Sequence, residues 1–198
     1  MNFHIESFGP IKKADVQLGN LTIICGKNNT GKTYLTYTLY ALLNIIENEM
    51  NIVLSHNDFE TLTSKAHLEI NLEDYVQQYI QAVLNCKTRL QSRMPSIFAK
   101  HPDKCKDIII DINLSPEEVM QQIHSGNKNN TIIMQVSSNC KLTMNRSYNS
   151  PIITITMQNT GGELPYLEAL KYSVQRLLVF AFDFGIDFLL LPKPFVIT

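Results

Sequence analysis

Three short runs open the chain, "FHIESFG" at residues 3–9, "ADVQL" at 14–18 and "LTIIC" at 21–25, each of strand length. The last is a β-branched apolar run without alternation, the pattern of a buried parallel strand. Beyond it the period changes. Leu35, Leu39, Leu42, Leu43 and Ile46 recur at spacings of three and four, which marks one face of a helix. From about Asn51 to Asn127 the helical period dominates. "NLEDYVQQYIQAVLNCKTRL" offers Asn71 as an N-cap, and its apolar positions Leu72, Tyr75, Val76, Tyr79, Ile80, Val83 and Leu84 form a stripe. "SPEEVMQQIHSG" predicts a further helix, with Ser115 as cap, Pro116 at the first helical position, Glu118 closing a capping box and Gly126 as the stop.

After "SGNKNN", an exposed turn, the pattern returns to strands. "TIIMQVSS", "CKLTMNRS" and "PIITITMQ" are rich in Thr, Val and Ile and predict an antiparallel meander. "ELPYLEALKYSVQRLLVFAF" then reads as a helix with Leu167, Leu170, Val174, Leu177 and Leu178 on one side, and the final "KPFVIT" reads as the start of another strand. Three segments result: 1–50 with strands, a loop and its helix; 51–127, a helical insertion; and 128–198 with antiparallel strands, an apolar helix and the start of a further strand. The chain contains no internal repeat and no low-complexity tract.

Composition narrows the class. The 198 residues, 44% hydrophobic and 18% charged, are those of an ordinary globular chain with a real core. A net charge of −1 gives no global electrostatic reason to expect nucleic-acid binding. "LLVFAFDFGIDFLLL" at 177–191 is too short for a bilayer and holds Asp183 and Asp187, each costing about 2.5–3.5 kcal/mol at its centre, so no membrane association is expected. Cys25, Cys86, Cys105 and Cys140 lie far apart, and "MNFHIESFG" lacks the basic and apolar regions of a secretory signal, so a reduced cytoplasmic protein is expected. The five histidines show no metal-ligating spacing. "KHPDKCKD", with Lys100, His101, Lys104 and Lys106, reads as a solvated charge run, contact with nucleic-acid phosphates being the alternative.

The chemistry concentrates at Gly26-Lys27-Asn28-Asn29-Thr30-Gly31-Lys32-Thr33, which fits G-x-x-x-x-G-K-[ST] completely. From average residue usage, a chance match in a chain this long arises on the order of once in a hundred sequences, so the spacing favours function. A strand, a glycine turn and a helix start aim backbone N–H groups and the positive end of the helix dipole at one point, an arrangement that suits a polyanion. Lys32 would reach β- and γ-phosphates, and Thr33 would complete a Mg²⁺ shell.

The order F-x-I-x-x-F-G-P-I-K-K-A-D-V-x-L-x-N-L-T-I-I-C-G-K-N-N-T-G-K-T resembles the opening of the ABC-type head shared by SMC, RecF and OLD-family ATPases, closely over residues 1–47. In those families two antiparallel strands precede the loop strand. The resemblance implies an α/β P-loop NTPase core with edge antiparallel strands and a helical insertion. It implies ATP with Mg²⁺, held by Gly26, Asn28, Asn29, Thr30, Gly31, Lys32 and Thr33, in heads that pair into a homodimer or higher oligomer around two nucleotides. DNA is the partner implied, in DNA repair or bacterial defence against phage and plasmids.

Two further parts of such heads are not found: a signature segment near L-S-G-G, and an acidic strand ending in Asp-Glu. "IIID" ends at Asp111 and is followed by Ile112, and "LVFAFD" ends at Asp183 and is followed by Phe184. Asp111 is read as a loop acid before a helix and Asp183 as a polar break in a core helix. Without a base and a metal-orienting aspartate, phosphoryl transfer lacks its positioning groups, and an incomplete domain that stops before its own catalytic half is expected. Two functions stand open: ATP binding by an ABC-type ATPase that hydrolyses in a longer chain or oligomer, and a non-hydrolysing nucleotide sensor or scaffold that controls an effector such as a nuclease.

Overall fold

The computed structural model describes residues 2–18, 22–125, 130–161 and 165–182. It is a mixed α/β chain in two compact units, one built from Met1–Met50 with Ile80–Ser115, the other from Asn51–Tyr79 with described residues beyond Pro116. Two antiparallel sheets and five α-helices lie among the described residues. No described helix is long and apolar enough to cross a membrane.

In the first unit β1 (Asn2–Phe8) and β2 (Ile11–Gln17) form a hairpin, and β4 (Ile109–Asn113) pairs antiparallel with the other edge of β1. Strand alternation sends Phe3, Ile5, Ile110 and Ile112 to one buried face. The helices are α1 (Lys32–Glu49), with Leu39, Leu42, Ile45 and Ile46 buried, and α3 (Val76–Ile97), with Val83, Cys86, Leu90 and Met94 buried. Glu49 at the end of α1 takes Arg89 and Arg93 of α3 as ion-pair partners. Pro95 has no N–H to continue the helical ladder, and α3 stops two residues later.

The second unit is built on a four-stranded antiparallel sheet, ordered β3 (His67–Asn71), β7 (Ile152–Asn159), β6 (Cys140–Arg146) and β5 (Asn130–Gln135). The meander read from the sequence is present, with Thr143 paired to Ile133 on one side and to Thr156 on the other. One face carries Leu68, Ile70, Leu142, Met144, Ile153 and Ile155, all buried, with α2 (His56–Lys65) against β3 and β7 and α5 (Leu167–Ala181) against β5 and β6. Ser55 caps α2 by accepting the Asp58 N–H at 3.1 Å while its hydroxyl donates to the Asp58 carboxylate at 2.7 Å. Along α5, Leu170, Val174, Leu177 and Leu178 are buried as the helical period requires, whereas Leu167 at its first turn is exposed. α4 (Pro116–His124) begins at the proline that the sequence places first.

Three sequence expectations need correction. The stretch 51–127 is not wholly helical, because β3 and β4 interrupt it. Asn71 does cap a helix start, accepting the Glu73 N–H at 3.1 Å, but it opens a single 3₁₀ turn, Leu72–Tyr75, that leads into α3. Asp111 is not a loop acid: it stands mid-strand in β4, its backbone paired with His4. Gly126, Asp183 and "KPFVIT" lie outside the described residues.

The face of the three-stranded sheet opposite Phe3 and Ile5 is charged. Register places His4 between Asp15 of β2 and Asp111 of β4, while Glu6 and Lys13 face one another and Lys87 of α3 reaches Asp111 at 2.9 Å. The His4 imidazole bonds the Asp15 carboxylate through Nδ1 and lies 3.0 Å from Glu6 through Nε2. The bond to Asp15 raises the His4 pKa and lowers that of Asp15, and the Lys87 ammonium lowers that of Asp111. A raised histidine stabilises the fold fully below its ordinary value of about 6.5 and ceases to do so as pH rises through the folded value, while the lowered aspartate stabilises above about 3.9 and ceases to as pH falls. His4→Gln should therefore cost most stability between about pH 4 and 6.5 and progressively less above. Urea midpoints of both proteins across that range test it, and a pH-independent difference would refute it.

Candidate functional site

Residues 22–25 lead into the glycine–lysine loop, and they depart from the expected buried parallel strand. They join neither sheet, and Ile23 is 77% exposed. A β-branched run favours extended backbone, but a strand also needs a ladder partner, and no described strand pairs with this one.

The loop is shaped by its own side chains. Thr30 donates its hydroxyl to the Lys27 carbonyl at 2.8 Å, and Asn29 takes a left-handed conformation at φ 62°. Gly31 forms the N-cap of α1 at φ 92°, and a Cβ there would stand 2.5 Å from Ile11 Cγ1. Only glycine lets the helix start come this close to the β1–β2 turn. Lys32 folds back across the loop, its Nζ donating to the carbonyls of Gly26 and Lys27 at 2.6 Å each. An ammonium has three donors, so two bonds fix its position and one remains for a ligand.

The start of α1 is open to an anion. Its first intrahelical bond runs from the Leu35 N–H to the Gly31 carbonyl at 2.9 Å, so the amides of residues 32–34 point out of the helix end. No side chain caps that end and no acid stands in the first turn. An acid or a cap would neutralise the positive end of the helix dipole, and neither does so here. Lys27, Asn28, Asn29, Thr30 and Thr33 are exposed around it. The donor set, backbone amides with a pinned ammonium and the Thr33 hydroxyl, fits a phosphate chain carrying Mg²⁺.

The sequence reading missed what surrounds this loop. Tyr34, next to Thr33, stacks on Phe98 with centroids 5.2 Å apart and planes 5° apart, and Phe8 stands edge-on to both at 4.9 and 4.6 Å. The Lys100 ammonium lies 4.7 Å from the Tyr34 centroid and 5.4 Å from that of Phe8. The "KHPDKCKD" run signalled a cation, but nothing in spacing joins residue 100 to residues 8 and 34. Asp111, one of the two acids considered for catalysis, is held by Lys87 on the charged sheet face and is not among the groups bonded to the loop.

An α/β chain whose lysine-bearing glycine loop opens a helix has the donor arrangement of a nucleoside-triphosphate-binding protein. A family model described as AAA ATPase domain matches residues 1–171, and the chain belongs to that family. No curated protein and no solved structure matches it.

Proposed function

We propose that this chain binds Mg²⁺-ATP at residues 26–33 as part of an ABC-type head of the SMC, RecF and OLD kind, acting in DNA repair or anti-phage defence in the cytoplasm. One observation carries the reading: Lys32 is pinned by two loop carbonyls at the uncapped start of α1. The β1–β2 hairpin ahead of the loop supports the ABC-type assignment, since two antiparallel strands precede the loop in the families that residues 1–47 resemble. Gly26 and Gly31 let the backbone close around the phosphates, Asn28, Asn29 and Thr30 shape the loop, Lys32 holds the β- and γ-phosphates, and Thr33 joins the Mg²⁺ shell. Bound Mg²⁺ would neutralise charge on the phosphate oxygens. A second copy of the head and DNA are the partners this reading implies, a nuclease effector belonging to the sensor alternative.

Equilibrium titration with Mg²⁺-ATP tests the proposal. Saturable, Mg²⁺-dependent binding is expected, and no binding at millimolar nucleotide would overturn it. Turnover is a separate expectation. Hydrolysis needs a positioned water and an acid to orient it. No apolar run in residues 1–198 ends in Asp-Glu, and Asp111 pairs with Lys87, so these residues should release phosphate no faster than their Lys32→Ala variant. Lysine-dependent release at about 0.1 s⁻¹ or more, below the usual range of enzymes, would mean that a catalytic carboxylate acts at this loop.

A further inference from the structure

Three segments distant in sequence meet beside the lysine loop, and none is needed for the loop's own hydrogen bonds. Gly9 supplies the β1–β2 turn at φ 58°, where a Cβ would stand 2.8 Å from Tyr34 Cε1, so the Tyr34 ring lies directly against the turn. Tyr34 comes from the first turn of α1 and stacks on Phe98, which follows α3. Lys100 is fixed from its backbone outward. The Phe98 N–H donates to the Met94 carbonyl at 3.2 Å and the Lys100 N–H to the Pro95 carbonyl at 2.8 Å, with Ala99 between them at φ 48°, a left-handed C-terminal cap. From that anchor the lysine stem carries its ammonium over the rings of Tyr34 and Phe8. Phe8 is buried, but Tyr34, Phe98 and Lys100 are half-buried and neighbouring Tyr37 is 36% exposed, so the cluster keeps a face toward water.

Position in the helix decides what this face meets. The Tyr34 amide is the last one free before the intrahelical ladder begins at Leu35. A nucleotide with its outer phosphates on Lys32 would run its α-phosphate and sugar out of the loop past that amide, toward the Tyr34 side chain. We infer that Tyr34, Phe98 and Lys100 form the nucleoside side of the site, and that Lys100 makes it prefer a nucleotide to a bare phosphate chain. The ligand class is a nucleobase, an aromatic heterocycle whose ring nitrogens, as in adenine, accept from the ammonium while its ring packs on the aromatic edges. The inference rests on the Lys32 loop reading and adds the nucleoside half to it.

Calorimetric titration of the purified chain with Mg²⁺-ATP and with Mg²⁺ and inorganic triphosphate separates the two. Lys100→Met keeps the stem against the rings and removes the charge; Lys100→Arg keeps a cation that also stacks on aromatic faces. The expected result is about fivefold weaker ATP binding by Lys100→Met, triphosphate binding unchanged, and recovery of ATP binding by Lys100→Arg. Equal loss for both ligands would place Lys100 on the phosphates, and no loss for either would leave it a packing residue; each result overturns the inference. Lys32→Ala should weaken both ligands. If it weakens neither, the loop reading itself fails, and the nucleoside subsite falls with it.

Discussion

Lys32→Ala is expected to weaken Mg²⁺-ATP binding by about tenfold or more, because a charge-assisted hydrogen bond contributes roughly 1.5–3 kcal/mol and about 1.4 kcal/mol is a factor of ten. The ammonium is held by the carbonyls of Gly26 and Lys27, so it meets a phosphate without first being ordered. The substitution should leave the fold intact. The loop around the ammonium is exposed, and the helix still begins with the Leu35 to Gly31 bond. Binding by a fluorescent ATP analogue, with thermal unfolding as the control, measures both. Unchanged affinity in a folded variant would remove the phosphate-loop reading.

The larger effect on stability should come from Arg146, far from the loop in sequence. This residue of β6 is 7% exposed, and its guanidinium donates to the carbonyls of Ile123 near the end of α4, Ala181 at the end of α5 at 2.8 Å, and Ser150 at 3.0 Å. The last carbonyls of a helix lack intrahelical donors and carry the negative end of its dipole, so one planar cation serves two helix ends. Arg146→Met preserves much of the volume and leaves those buried carbonyls without that donor. A loss of about 3–5 kcal/mol is expected, because each buried carbonyl left without a donor costs roughly 1–3 kcal/mol. Lys at this position should recover only part of it, since a single ammonium cannot copy the fork. Urea unfolding followed by far-UV circular dichroism provides the check. A loss under about 1 kcal/mol would show that the helix ends do not depend on the guanidinium.

Much of the chain was legible before folding, wherever the signal is local. The apolar spacing from Leu35 to Ile46 writes α1, Pro116 writes the start of α4, and alternating or β-branched runs bounded by turns write β5, β6 and β7. The lysine loop was readable for the same reason: its glycines, its lysine and its helix start fall within eight consecutive residues, and loop geometry is a short-range property.

Tertiary structure decided the rest. β3 and β4 are five residues each, too short to outweigh a helical background by pattern, and they exist through pairing with β7 and β1. For β4 the partner lies about a hundred residues away, and a strand stabilised by cross-strand neighbours leaves only a faint mark in its own sequence. The same pairing placed Asp111 beside His4 and within reach of Lys87, turning a supposed loop acid into part of a charged sheet face. In the opposite direction, residues 22–25 carry a strong strand pattern and join no described sheet, because composition supplies only the preference for extension and ladder pairing depends on a neighbouring strand. Lys100 shows the limit most plainly: the sequence determined that a cation stands there, and packing of Phe8, Tyr34 and Phe98 alone decided that it stands beside the glycine–lysine loop.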